Sequence, residues 1–203
     1  MSQGQKSTEF EFAQVVAAIE KLDIAVNSVF ESESISAIFS SLIALMQLVD
    51  EDPVLHFVDD LIMKNVNCDI DSWLSKYAQL RGSMVGSGIF KLGNTKQERY
   101  CITKNILKKQ TENIEKFENF ILSKTRNWYY DGNVETLAYK FLKDFLGAFY
   151  RELRNSLIDL RVEAELSNDK KISEQQIINI VLSGNVQNVQ ANNISNSEIT
   201  QSE

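Results

Sequence analysis

Proline occurs once in this chain of 203 residues, glycine eight times and histidine once. All-β folds with many tight turns need frequent glycine and proline punctuation, so their scarcity points away from sandwiches and barrels and towards helices. With His56 as the lone imidazole, a zinc site would draw nearly all its ligands from Cys, Asp and Glu. Any Ser/His/Asp or Cys/His triad would have to use that same residue. It lies among Leu55, Phe57 and Val58 on a predicted helix, where a satisfied, partly buried histidine is the expected role. The adjacent Asp59 and Asp60 point about 100° apart on a helix and are not expected to share one site. Neither a metal nor a cofactor is expected.

Long apolar runs are also missing. The most apolar stretch, 35–49, is shorter than the roughly 20 residues a bilayer requires, and Ser36, Ser40, Ser41 and Gln47 interrupt it, so no membrane span is expected. Cys68 and Cys101 stand far apart without short metal-binding spacing, and the polar start lacks the pattern of a secretory signal. The expectation is reduced thiols in a cytoplasmic protein.

What is present is helical periodicity. Hydrophobic residues make up 43% of the chain and charged residues 24%, which fits one globular domain with or without an appendage. Thr8 and Glu11 have capping-box spacing, and Phe12, Val15, Ile19, Leu22, Val26 and Val29 then form one stripe that wants a helical partner. The helix starting at Ile35 is apolar nearly all round, which suits a bundle centre. Asp52 and Pro53 read as N-cap and first helical residue of a third helix carrying Val54, Phe57, Val58, Leu61 and Ile62 inward. A short fourth helix holds Trp73, Leu74, Tyr77 and Leu80.

Two long helical stretches follow, 95–130 and 133–166. Thr95 with Glu98 repeats the capping box, and Ile106, Leu107, Ile114, Phe117, Ile121 and Trp128 mark the first buried stripe. Gly132 supplies the positive φ of a helix stop and Asn133 caps the next helix, with Leu137, Phe141, Phe145, Phe149, Leu153, Leu157 and Leu160 on one face. The pair reads as an antiparallel hairpin with arms on the order of 50 Å. Between the fourth helix and this hairpin, Gly82, Gly86 and Gly88 do not match a Walker loop, because Gly88 leads into Ile89-Phe90-Lys91 rather than Lys-Ser/Thr and a helix; a connecting loop is expected.

Charge is uneven. Residues 1–80 carry a net −9, residues 81–130 a net +6 and residues 131–203 a net −4. The basic excess falls on the helix over 96–126, where Lys104, Lys108, Lys109, Lys116, Lys124 and Arg126, near Tyr100, Trp128 and Tyr129, are spaced to track a phosphate backbone. Pairing with the acidic N-terminal helices is the competing role for the same side chains.

One motif resembles a known family. Arg154-Asn155-Ser156-Leu157-Ile158-Asp159 is similar to the Arg-Asn-x-x-x-His signature of HEPN domains, helical bundles that often act as RNA-cleaving toxins or defence effectors. The resemblance spans six residues and implies a composite site across a dimer, with Arg154 and Asn155 in the family's motif positions. Asp159 replaces the histidine, and an ordinary carboxylate is ionised near neutral pH, so the resemblance implies an inactive or altered domain.

The C-terminal region changes composition. Ser173 with Gln176 has capping spacing, and Ile177, Ile178, Ile180, Val181 and Leu182 form a β-prone apolar cluster for which helix and strand are nearly balanced. Beyond Gly184 the chain is rich in Asn, Gln and Ser. Regularly placed Val186, Val189 and Ile194 make it either a disordered tail or a segment that orders on assembly.

The expectation is therefore an all-α fold: a multi-helix bundle over residues 9–168 with a long antiparallel hairpin, a disordered N-terminus over 1–8, and a C-terminal appendage over 169–203. Its expected function is a non-catalytic interaction or assembly module that binds a protein partner or forms a homo-oligomer, with partner contacts at Val186, Val189 and Ile194. The alternatives are a HEPN-like ribonuclease or the partner of one, and nucleic-acid binding through the basic helix.

Overall fold

A computed structural model describes residues 9–64, 66–77, 92–129 and 132–183. The chain is an all-α multi-helix bundle with one small two-stranded ribbon. Strand β1 spans Glu9–Glu11 and runs directly into α1, Phe12–Phe30. Thr8 lies outside the described residues; the start of α1 is held instead by Gln14, whose amide oxygen accepts the Glu11 N–H at 2.8 Å. Val15, Ile19, Leu22, Val26 and Val29 are all buried. Their partner is within the chain: α2, Ile35–Glu51, and α8, Val134–Leu166, cover the stripe.

The centre of the bundle belongs to α8 rather than to α2. Helix α2 leaves Ser36, Ala37, Ser40, Ala44, Gln47 and Asp50 exposed on one side, whereas α8 buries residues from Leu137 to Ala164 along its length. The difference is one of side-chain volume. The α8 stripe contains Phe141, Phe145 and Phe149, each fully buried, while the small Ala and Ser positions of α2 lose little by facing water. At 33 residues, α8 is about 50 Å long, and its buried stripe runs from Leu137 to Ala164.

Helix α3, Pro53–Met63, starts as expected, with Asp52 Oδ1 accepting from the amides of Val54 and Leu55. Helix α4, Ile70–Tyr77, is short. The capping box of Thr95 and Glu98 opens α5, Lys96–Gln110. The single long helix expected over 95–130 is interrupted. Thr111 ends α5, and Asn113 starts α6, Ile114–Phe120, by accepting from the amides of Glu115 and Lys116. A π-helical turn over Ile121–Thr125 follows, with the Thr125 hydroxyl donating to the Ile121 carbonyl, and then α7, Arg126–Tyr129. Hydrophobic spacing conceals the break, because Leu107, Ile114, Phe117 and Ile121 continue in steps of seven, three and four across it. The arms are antiparallel as expected, since Tyr100 stacks on Phe149 and Phe120 packs against Phe141.

Gly132, at φ +140°, makes the stop before α8, and Asn133 caps that helix through the Thr136 amide. Residues beyond 168 contribute to the same core. Strand β2, Lys171–Ser173, pairs antiparallel with β1, setting Phe10 opposite Ile172, and α9, Glu174–Ser183, packs against α3 and α8. Ile172, Ile177 and Val181 are buried. The Gln176 side chain accepts from both the backbone and the hydroxyl of Ser173, so the capping pair resolves the balanced segment in favour of helix. No helix among the described residues is long and apolar enough to cross a membrane.

Candidate functional site

The polar positions of α8 divide into two clusters on different sides of the helix. Arg154 faces α1, where its Nε donates to Asp23 Oδ1 at 2.9 Å and its Nη2 to Asp23 Oδ2 at 3.0 Å. Tyr150, one turn earlier, donates its hydroxyl to the same Asp23 Oδ1 at 2.8 Å. Partial burial works against the charge on Asp23, but the hydrogen bonds from Arg154 and Tyr150, with the guanidinium charge, outweigh it and hold the carboxyl below its usual range. The bidentate fork commits the Nε and Nη2 side of the Arg154 guanidinium to Asp23.

Asp159 stands five residues on, about 140° round the helix from Arg154. It is exposed and acts on Lys96 at the start of α5. Burial pushes the Lys96 ammonium down, opposed by the charges of Asp159 and Glu152. Arg99 donates to Glu152 at 2.9 Å on this side. Asn155 is exposed. The chain therefore aims Arg154 and Asp159 at different neighbours, α1 and α5.

A third cluster is deeper. Asp59 of α3 is buried and accepts the Tyr100 hydroxyl at 2.6 Å on one oxygen and the Lys104 ammonium on the other. Burial, then the Asp59 charge, pushes the Tyr100 phenol well above its ordinary value. His56 differs from expectation: it is exposed, with Nε2 3.4 Å from Asp60 Oδ2. Asp59 and Asp60 also differ, because ligand atoms of His56, Asp59 and Asp60 lie within 4.8 Å of one another. Divergent Cβ directions are compensated by side-chain reach. Both Asp59 oxygens are already engaged, however, and the Lys104 ammonium supplies the positive charge that a metal ion would bring.

The basic helix is largely paired. Lys104 is buried on Asp59, Lys108 reaches Asp50 at 3.1 Å, Lys109 reaches Asp71 at 2.6 Å and Lys116 reaches Glu112 at 3.3 Å. Asp50, Asp59 and Asp71 come from the acidic N-terminal part of the chain, which is the competing role that charge segregation allowed. Lys124 and Arg126 are exposed. Val186, Val189 and Ile194 lie outside the described residues.

The two cysteines do not stand apart as separate thiols. Cys68 and Cys101 form a disulfide, with Cα atoms 6.3 Å apart, within the range such a bond requires. Their separation of 33 residues gave no signal, since only the packing of the segment before α4 onto α5 brings them together. Asp23 was likewise missed: nothing in a lone carboxylate on an amphipathic helix reveals an arginine 131 residues away. No protein-family model matches the chain, and no curated protein or solved structure matches it.

Proposed function

We propose that this chain is a non-catalytic interaction module whose simplest partner is a second copy of itself. The observation that carries the interaction reading is an exposed apolar pair near the end of α8: Val162 is 46% exposed and Leu166, one turn on, is 76% exposed. Side chains of this kind standing together on a long, well-supported helix are a ready contact for another apolar surface. The Asn/Gln/Ser composition with spaced Val186, Val189 and Ile194 supports the same reading from sequence. The stripe of α1 does not, because α2 and α8 fill it.

The non-catalytic half is supported by how the charges of the helical interface are used. Arg154 with Asp23, Arg99 with Glu152, Lys104 with Asp59 and Lys21 with Asp52 are tied to one another as structural pairs. The HEPN-like alternative competes with the Asp23 contact of Arg154, whereas the exposed pairs of Lys108, Lys109 and Lys116 oppose the nucleic-acid alternative only weakly. Light scattering on the full chain should give a mass above the 23.1 kDa of one copy. Incubation with structured RNA should leave the RNA intact; cleavage lost in Arg154→Ala would reverse the proposal in favour of the ribonuclease.

A further inference from the structure

We propose that the Cys68–Cys101 disulfide is a redox-operated clasp holding α4 against α5, opened by a dithiol reductant that attacks Cys68. The two sulfurs are unequal. Cys101 is 1% exposed in the middle of α5's buried side, while Cys68, in the segment before α4, is only half-buried. The Asn105 side-chain amide, one turn after Cys101, has its Nδ2 3.4 Å from Cys101 Sγ and 3.8 Å from Cys68 Sγ. This is a donor placed on the sulfur that would leave. A reductant thiolate attacking Cys68 forms a mixed disulfide there and breaks the bond to Cys101, which departs as a thiolate receiving the Asn105 N–H. The second thiol of the reductant then resolves the mixed disulfide, leaving two protein thiols and the oxidised reductant, with two electrons and two protons transferred.

The element held by the clasp is a short helix whose apolar residues enter the core only in part. Helix α4 has eight residues, its Trp73 and Leu74 are only half-buried, and its ion pair with Lys109 is exposed. An exposed pair of this kind adds little. Trp73 nonetheless packs edge-on against both Trp128 and Phe145, at 6.3 Å and 5.9 Å between ring centroids. Opening the bond lets α4 leave that contact and uncovers an aromatic face of the core formed by Trp128 and Phe145. The clasp does not depend on the interaction reading above.

Hydrogen exchange on the full chain, oxidised and after dithiothreitol, tests the clasp alongside a count of free thiols. On reduction two thiols should appear, and amides of 70–77 should exchange faster by about tenfold or more while the centre of α8 keeps its protection. Cys68→Ser should show the fast α4 exchange without reductant. Asn105→Ala should slow reduction at constant reductant without altering exchange in the oxidised chain. Unchanged exchange over 70–77 with both thiols titrated would overturn the proposal. So would a loss of α8 protection in step with α4, which would make the bond a global staple, or two free thiols that an oxidant cannot pair.

Discussion

Arg154 of α8 grips Asp23 of α1 through two nitrogens across 131 residues of sequence, and Tyr150 donates to the same carboxylate. The residue that carries the family resemblance is thereby used to pin one helix to another. Arg154 and Asp23 are each about one-third exposed, so solvent screens the pair and its contribution is modest. Arg154→Ala and Asp23→Ala should each cost about 1 kcal/mol in denaturant unfolding, with much of that shared in the double variant. Because the Asp23 carboxyl titrates lower in the folded chain than in the unfolded one, its stabilisation is complete above about pH 4 and is lost as pH falls through the folded value. A coupling energy that did not change on acidification would contradict this.

Lys104→Ala should be far more damaging. It leaves the Asp59 carboxylate buried with only the Tyr100 hydroxyl, and removal of one partner of a buried pair costs about 3 kcal/mol or more. Lys104→Met together with Asp59→Asn should recover most of that loss, since a neutral amide still accepts from Tyr100 and no bare charge remains. Urea midpoints of the single and double variants decide it; equal losses would show that packing, rather than charge, is at stake.

Alkaline titration should find tyrosines that resist ionisation. Burial raises Tyr100 and Tyr129 strongly, with hydrogen bonds to Asp59 and Asp144 adding to it. For groups whose folded pKa is raised, the stability is intact below the unfolded value, about pH 10, and is lost as pH climbs beyond it towards the folded value. The tyrosinate ultraviolet band should therefore rise in two stages, with the second coinciding with unfolding by circular dichroism. A single stage completed in the folded chain would contradict the buried hydrogen bonds.

Truncation should separate the two parts of the C-terminal region. Ending the chain after Asn168 removes Ile172, Ile177 and Val181 from the core and should abolish cooperative unfolding. Ending it after Ser183 should leave the melting temperature within a few degrees of the full chain, because the described core is retained.

Much of this fold was legible because its signals are local. Asp52-Pro53, Thr95 with Glu98, Gly132-Asn133 and Ser173 with Gln176 each mark a helix terminus through groups only a few residues apart. The four-residue repeat from Phe141 to Phe149 identified the buried face of α8 in the same way. What escaped depends on contacts between distant segments. The break at Thr111 to Asn113 preserves hydrophobic register, so periodicity passes over it. Asp23, Asp59 and Cys68 acquire their roles only when α1, α3 and the segment before α4 meet α8 and α5. Charge segregation did foreshadow pairing of the basic helix with the acidic start, without saying which lysine would be buried.

Light scattering over a concentration series, on the full chain and on Val162→Glu with Leu166→Glu, tests the interaction reading most directly. The mass should rise above 23.1 kDa with concentration in the unaltered chain and stay at that value in the double variant, with identical circular dichroism. A mass of one copy at every concentration in both, or the same rise in both, would contradict it.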